Sequence, residues 1–163
     1  TMKAYVSTFA KFNNGNLNGA WLDLKDYSDK DDFIDACLKL HEDEEDPELM
    51  FQDSVGIPDD FIGESHISPE CWDLLEAYDD HGEGAVNAYC HCFGEWNKRD
   101  FEDKYRGEYD SFTDLAEQLL DETGGLDEIP EHLRGYFDYE AYGRDLRLGG
   151  DFTEHDGHYF RNN

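Results

Sequence analysis

Apolar positions along the chain switch between a period of two and a period near 3.6, and that switching predicts a mixed fold. Ala4 to Phe9 and Leu17 to Leu24 read as strands flanking Asn13-Asn14-Gly15-Asn16, whose Asn-Gly pair suits a tight connection. In the second strand Trp21 and either Leu22 or Leu24 belong to opposite faces, which leaves its register open. A helix follows from about Asp31 to Glu42, with Phe33, Ile34, Cys37, Leu38 and His41 as its apolar stripe and Asp29 or Asp31 as its cap. Leu49 to Val55 is the next strand, and this first α+β unit closes near Pro58 to Gly63.

The middle of the chain is helical. Ser68-Pro69-Glu70 combines a cap, a first-turn proline and an acid. Trp72, Leu74, Leu75 and Tyr78 supply the apolar side of that helix, which stops near Gly82 or Gly84. A second helix spans Ala85 to Trp96 through Val86, Tyr89, Cys90, Phe93 and Trp96. From Lys98 the pattern changes again. Ser111 or Thr113 caps a helix to Thr123, with Leu115, Leu119 and Leu120 inward and Gly124-Gly125 as its stop. Pro130 opens a further helix with Leu133, Tyr136 and Phe137 on one face, and Leu146 to Phe152 with Gly157 to Phe160 forms a terminal hairpin. The expected fold is α+β: an elongated chain of small domains, comprising an N-terminal antiparallel sheet plus helix (1–62), a helical middle domain (63–103) and a C-terminal α+β domain (104–163).

Charge alters what that fold can be for. The 163 residues hold 41 Asp and Glu against 13 Lys and Arg, a formal net charge of -28. Between Leu40 and Asn97, 58 residues contain 17 acids and no Lys or Arg. The bland alternative is a solubility or halophilic adaptation; a general solubility surface mixes signs and gains local ion pairs, whereas a single-sign field this long favours a basic partner. It disfavours nucleic acid and anionic membranes as partners. Acids at 42–46 also follow a helix C-terminus, where they oppose the helix dipole. The 15% aromatic content argues for folded cores with apolar area to spare.

Chemistry is sparse. No apolar run approaches the 18 residues of a membrane span, and the opening TMKAYVSTFA is too short and polar for a signal peptide. Cys37, Cys71, Cys90 and Cys92 read as reduced thiols of a cytoplasmic protein. Cys90-His91-Cys92 with His81 has weaker spacing than a zinc site needs, and Asp79 to Glu83 lacks the spaced ligands of a calcium loop. Phosphate-binding loops, dinucleotide fingerprints and nucleophile elbows are missing from the sequence. The expectation is a protein with no catalytic residues, metal or cofactor.

B-DNA carries one negative charge per roughly 1.7 Å of axis, so 28 net charges match a duplex length of roughly 48 Å, and two chains roughly twice that. That scale fits a DNA-binding groove. The carboxylates expected to stand in for phosphates are Asp31, Asp32, Asp35, Glu42, Asp43, Glu44, Glu45, Asp46, Asp59, Asp60, Glu70, Asp73, Glu76, Asp79, Asp80, Glu83, Asp114, Glu117 and Asp121. The alternative is an acidic binding module or chaperone for some other basic DNA-binding protein.

The stretch LLDETGGLDEIPEHLRGYFDYEAYGRDLRL, Leu119 to Leu148, resembles the conserved tract of the ArdA antirestriction proteins, which are carried by conjugative plasmids and transposons. The opening KAYVSTFAKFNNGNLNGAWLDL resembles the start of the same family. The resemblance implies a cytoplasmic DNA mimic that occupies type I restriction-modification enzymes, through their specificity and modification subunits, and dimerises through its C-terminal domain. The family tract matches Leu126, Ile129, Pro130, Leu133, Tyr136, Phe137, Asp138 and Tyr139, then Ala141, Tyr142, Gly143, Arg144, Asp145 and Leu146. Leu133 and Phe137 are expected in the domain core. Tyr136, Tyr139 and Tyr142 divide between core and subunit contact, and Arg144 and Arg147 either relieve the acids where two chains meet or, for Arg147, form a surface ion pair.

Overall fold

A computed structural model describes residues 1–162; Asn163, the last residue of the expected C-terminal domain, lies outside them. The fold is α+β, with a small antiparallel sheet towards each end of the chain and helices between. Two compact units result, Thr1–Glu76 and Ala77 onward, and one helix, α3 (Glu70–His81), runs across the division.

In the first unit β1 (Lys3–Thr8) lies between β2 (Ala20–Asp23) and β3 (Leu49–Val55), both antiparallel to it. Ala4 and Val6 point inward and are fully buried, while Lys3 is exposed and Tyr5 half-buried, the alternation a one-sided sheet requires. Pairing fixes the register of β2: Leu22 lies opposite buried Ala4, and Trp21 opposite Tyr5 on the outer face, where the two rings meet edge to face at 5.5 Å. Helix α2 (Lys30–Leu40) covers the inner face. Phe33, fully buried, contacts Tyr27, Phe51 and Trp72 with ring centroids 5.5–6.2 Å apart, and the Trp72 indole N–H donates to the Tyr27 carbonyl.

Three local expectations change here. The first strand stops at Thr8, because its hydroxyl accepts from the Lys11 amide and caps a short helix, α1 (Phe9–Asn13), in place of a direct hairpin. The second strand is correspondingly short, and Leu17 is left 67% exposed. Helix α2, capped by Asp29, ends at Leu40 and not at Glu42, so the acids at 42–46 form a turn beyond it. Extending the helix through them would have stacked carboxylates on its negative end.

The second unit is built on the sheet β4-β6-β5, formed by Tyr105–Glu108, His158–Arg161 and Phe152–His155. Its middle strand faces two ways. Phe160 packs with Ala85, Ala88 and Tyr89 of α4 (Glu83–Phe93) and Phe101 of α5 (Lys98–Lys104). Tyr159, one residue earlier, packs on the opposite side with Phe152 and Leu115, beside Phe112 and Leu119 of α6 (Phe112–Thr123) and Leu146 of α7 (Tyr139–Leu148). Helix α6 is capped by Ser111 and stops at Gly124, as the sequence predicts.

Other expectations in this unit need correction. The helix expected over Ala85 to Trp96 is Glu83–Phe93. Leu146 to Leu148 belong to α7 and not to a strand, and the hairpin lies later, turning at Asp156-Gly157. Both turn residues have positive φ, 50° and 84°, the combination a two-residue hairpin loop demands and an Asp-Gly pair tolerates. Pro130 precedes only a six-residue 3-10 segment, Glu131–Tyr136, and the α-helix of the tract starts afresh at Tyr139. The Asp138 carboxylate accepts from the Ala141 amide and caps that second start. Leu133 is 44% exposed and so is not core, and Phe137, half-buried, meets only Tyr139 and Tyr142 among the described ring contacts.

Candidate functional site

The candidate carboxylates occupy helix faces and turns. On α2, Asp31, Asp32 and Asp35 are exposed, opposite buried Phe33 and Cys37. The turn after α2 presents Glu42, Asp43, Glu45 and Asp46 to solvent, with Glu44 half-buried. Asp59 and Asp60 form an exposed 3-10 turn, and Glu70, Asp73 and Glu76 the exposed side of the first turns of α3. In the second unit Asp79, Asp80 and Glu83 are exposed at the junction of α3 and α4. Asp114, Glu117 and Asp121 share one stripe of α6, because spacings of three and four bring residues to one face, turned away from buried Leu115. Of all 41 acids only Asp23, Glu44 and Asp100 are even partly buried. An ordinary carboxylate, with a value near 4, is ionised at neutral pH.

The fold gathers some of these acids with neighbours the sequence did not single out. A shallow groove of about 500 Å³ is lined by Asp114, Glu117 and Asp121 together with Gln118, Glu108, Tyr109 and Asp110. Glu108 and Asp110 arrive there because β4 pairs with β6, and the Tyr109 hydroxyl donates to the Arg106 carbonyl. A second, of about 300 Å³, joins Asp59 to Asp53 along β3. Neither neighbour set carries a local signal, since a strand contributes its acids only once its partner is known.

One carboxylate pair has a cation beside it. The Lys11 ammonium, on α1, donates to Asp43 Oδ1 at 2.9 Å and to His41 Nδ1 at 2.8 Å, and lies 3.4 Å from Glu44 Oε2. An ammonium can only donate, so Nδ1 of His41 is the unprotonated nitrogen, and Nε2–H donates to the Val6 carbonyl at 3.2 Å. Glu44 accepts in addition from the Thr8 hydroxyl at 2.7 Å. The hydrogen bond between Asp43 and Lys11 holds the Asp43 carboxyl below its ordinary value and raises that of Lys11.

The tract 126–148 is a different kind of surface. Leu126, Ile129, Phe137, Tyr139 and Tyr142 are half-buried; Pro130, Leu133, Tyr136, Asp138 and Arg144 are exposed, Tyr136 by 85%. Arg134 fastens the 3-10 segment by donating from Nε to the Ile129 carbonyl. Arg144 and Arg147 lie on exposed positions of α7. Cys90 and Cys92 are half-buried in α4, where burial raises both thiols.

Residues 4–161 match the family model described as antirestriction protein (ArdA). The chain belongs to the ArdA antirestriction family. Nearly the whole described chain, the tract included, falls within the match. No curated protein matches the sequence closely enough to carry an argument. ArdA proteins are antirestriction factors, and membership implies restriction enzymes as targets. No described helix is long and apolar enough to cross a membrane.

Proposed function

We propose that this ArdA-family chain acts as a mimic of B-DNA, occupying the DNA-binding groove of a type I restriction-modification enzyme in competition with its target. The observation that carries the reading is the exposure of the acids: on helix faces and turns of both units, carboxylates stand where solvent, or a basic groove, can reach them. Each would take the place of a phosphate against a Lys or Arg of the specificity or modification subunit, with counterion release contributing to binding. Carboxylates present no base edges, so inhibition is independent of the target sequence. The exposed apolar residues of the tract support a second element, a homodimer in which Leu133, Tyr136 and their neighbours cover one another and two acidic surfaces act together. A cytoplasmic site of action and carriage on a conjugative element follow from the same reading.

The test is competition. A type I methyltransferase is incubated with a labelled duplex and rising amounts of the protein. The expected result is displacement of the duplex near stoichiometric ratio, weakened by salt and independent of incubation time. Unchanged duplex binding at large excess of the protein overturns the proposal.

A further inference from the structure

We infer that Lys11 is a positioning residue for the acidic turn 42–46: it is an internal counter-cation that holds carboxylates in place for a basic partner. The stretch from Leu40 to Asn97 contains no Lys or Arg, so a cation for this turn has to come from elsewhere in the sequence. It comes from α1. The Thr8 hydroxyl, accepting from the Lys11 amide, starts that helix and so sets where the Lys11 side chain leaves the backbone.

An ammonium has three N–H groups, and three acceptors surround this one: His41 Nδ1, Asp43 Oδ1 and Glu44 Oε2. The acceptor atoms lie within 4.8 Å of one another. Two carboxylates that close repel unless a cation lies between them. The Lys11 side chain is only 13% exposed, which keeps the ammonium directed at the turn and away from solvent. His41, 2% exposed and tied to the Val6 carbonyl, anchors the other side of the clasp to β1. With Glu44 half-buried and Asp43 held by the ammonium while still open to solvent, Glu42, Glu45 and Asp46 stand exposed around them. Their directions are then set by the clasp and not by mutual repulsion, which lowers the ordering cost when a partner binds.

This inference rests on the proposed engagement of a basic partner, but its sign separates it from charge alone. Lys11→Met makes the protein one charge more negative. If net charge governed binding, that variant would displace the duplex as well as wild type or better. Positioning predicts the opposite, a loss of roughly fivefold in apparent affinity, with Lys11→Arg restoring most of it. Two readouts on the free protein address the clasp without any partner: amide exchange over residues 42–46, expected to accelerate in Lys11→Met, and the ¹⁵N signals of His41, expected to show a single Nε2–H tautomer in wild type and mixed tautomers in the variant. Unchanged exchange and tautomer in Lys11→Met overturn the clasp, and equal or tighter displacement overturns its role in binding. If wild type itself fails to displace the duplex, the mimicry proposal falls, while exchange and tautomer still decide the clasp.

Discussion

Gly143 of α7 lies against the backbone of Thr113 at the start of α6: a β-carbon added there would stand 2.8 Å from the Thr113 amide nitrogen and 2.9 Å from its Cα. Backbone cannot rotate aside as a side chain can, so the two helices must part to admit a methyl group. Gly143→Ala gains about 1 kcal/mol of helix propensity but incurs overpacking of about 1–3 kcal/mol. The expected outcome is a net destabilisation of up to about 2 kcal/mol, read as a lower urea midpoint. A raised midpoint would show that the contact between α6 and α7 is looser than this geometry.

Asp100 connects the sheet-side core to pH. Its carboxylate accepts from the buried Tyr89 hydroxyl at 2.6 Å and from Lys104 at 2.9 Å. The Tyr89 bond first, then Lys104, hold its value below the ordinary carboxylate range. A depressed folded value means the contribution is fully present above the unfolded value, about 3.9, and is lost as pH falls through the folded one. Asp100→Asn is therefore expected to be less stable than wild type at pH 7 and to lose less stability between pH 5 and pH 2. Urea titrations at each pH check this, and parallel losses in the two proteins would refute it.

Burial pushes the Cys37 thiol up to about 12 and that of Cys71 up to about 11, and both are fully enclosed. The thiolate is the reactive form. Native protein at pH 8 is expected to leave both unmodified by an aromatic disulfide reagent, while denatured protein titrates four thiols. Mass mapping of the modified cysteines is the measurement, and rapid native labelling of Cys37 would contradict the packing beneath α2.

Tyr136 is 85% exposed and Leu133 44%, so neither contributes much to the core of its own unit. Tyr136→Asp, alone or with Leu133→Asp, is expected to halve the solution mass while leaving the far-ultraviolet circular dichroism unchanged. Sedimentation equilibrium at micromolar concentration decides. A wild-type monomer, or a double variant that remains dimeric, removes the tract from the proposed subunit contact.

Much of this fold is written locally. Asp29 and Ser111 accept from the amides that open α2 and α6, and an amide three residues away is reached whatever the rest of the chain does. Leu49–Val55 forms a strand with the bounds its pattern predicts. Elements that depend on a distant partner are hidden. Tyr105–Glu108 has little alternation of its own and becomes a strand because Tyr105 pairs with Phe160 and Glu108 with His158. Asp156-Gly157 did hold a legible turn signal, but continuing apolar residues through Leu148 masked where the helix gave way to strand.

The same division runs through the candidate site. Charge sign, charge number and family tract are properties of the sequence, because an excess of carboxylates has to reach solvent in any fold that avoids burying them unpaired. What tertiary structure alone decides is which carboxylates are held. Lys11 meets Asp43 and Glu44 across about thirty positions of sequence, through a capped turn of helix at one end and a buried histidine at the other. No local period encodes that meeting. It exists because β1 and the end of α2 pack together, and packing is the one thing a linear pattern does not contain.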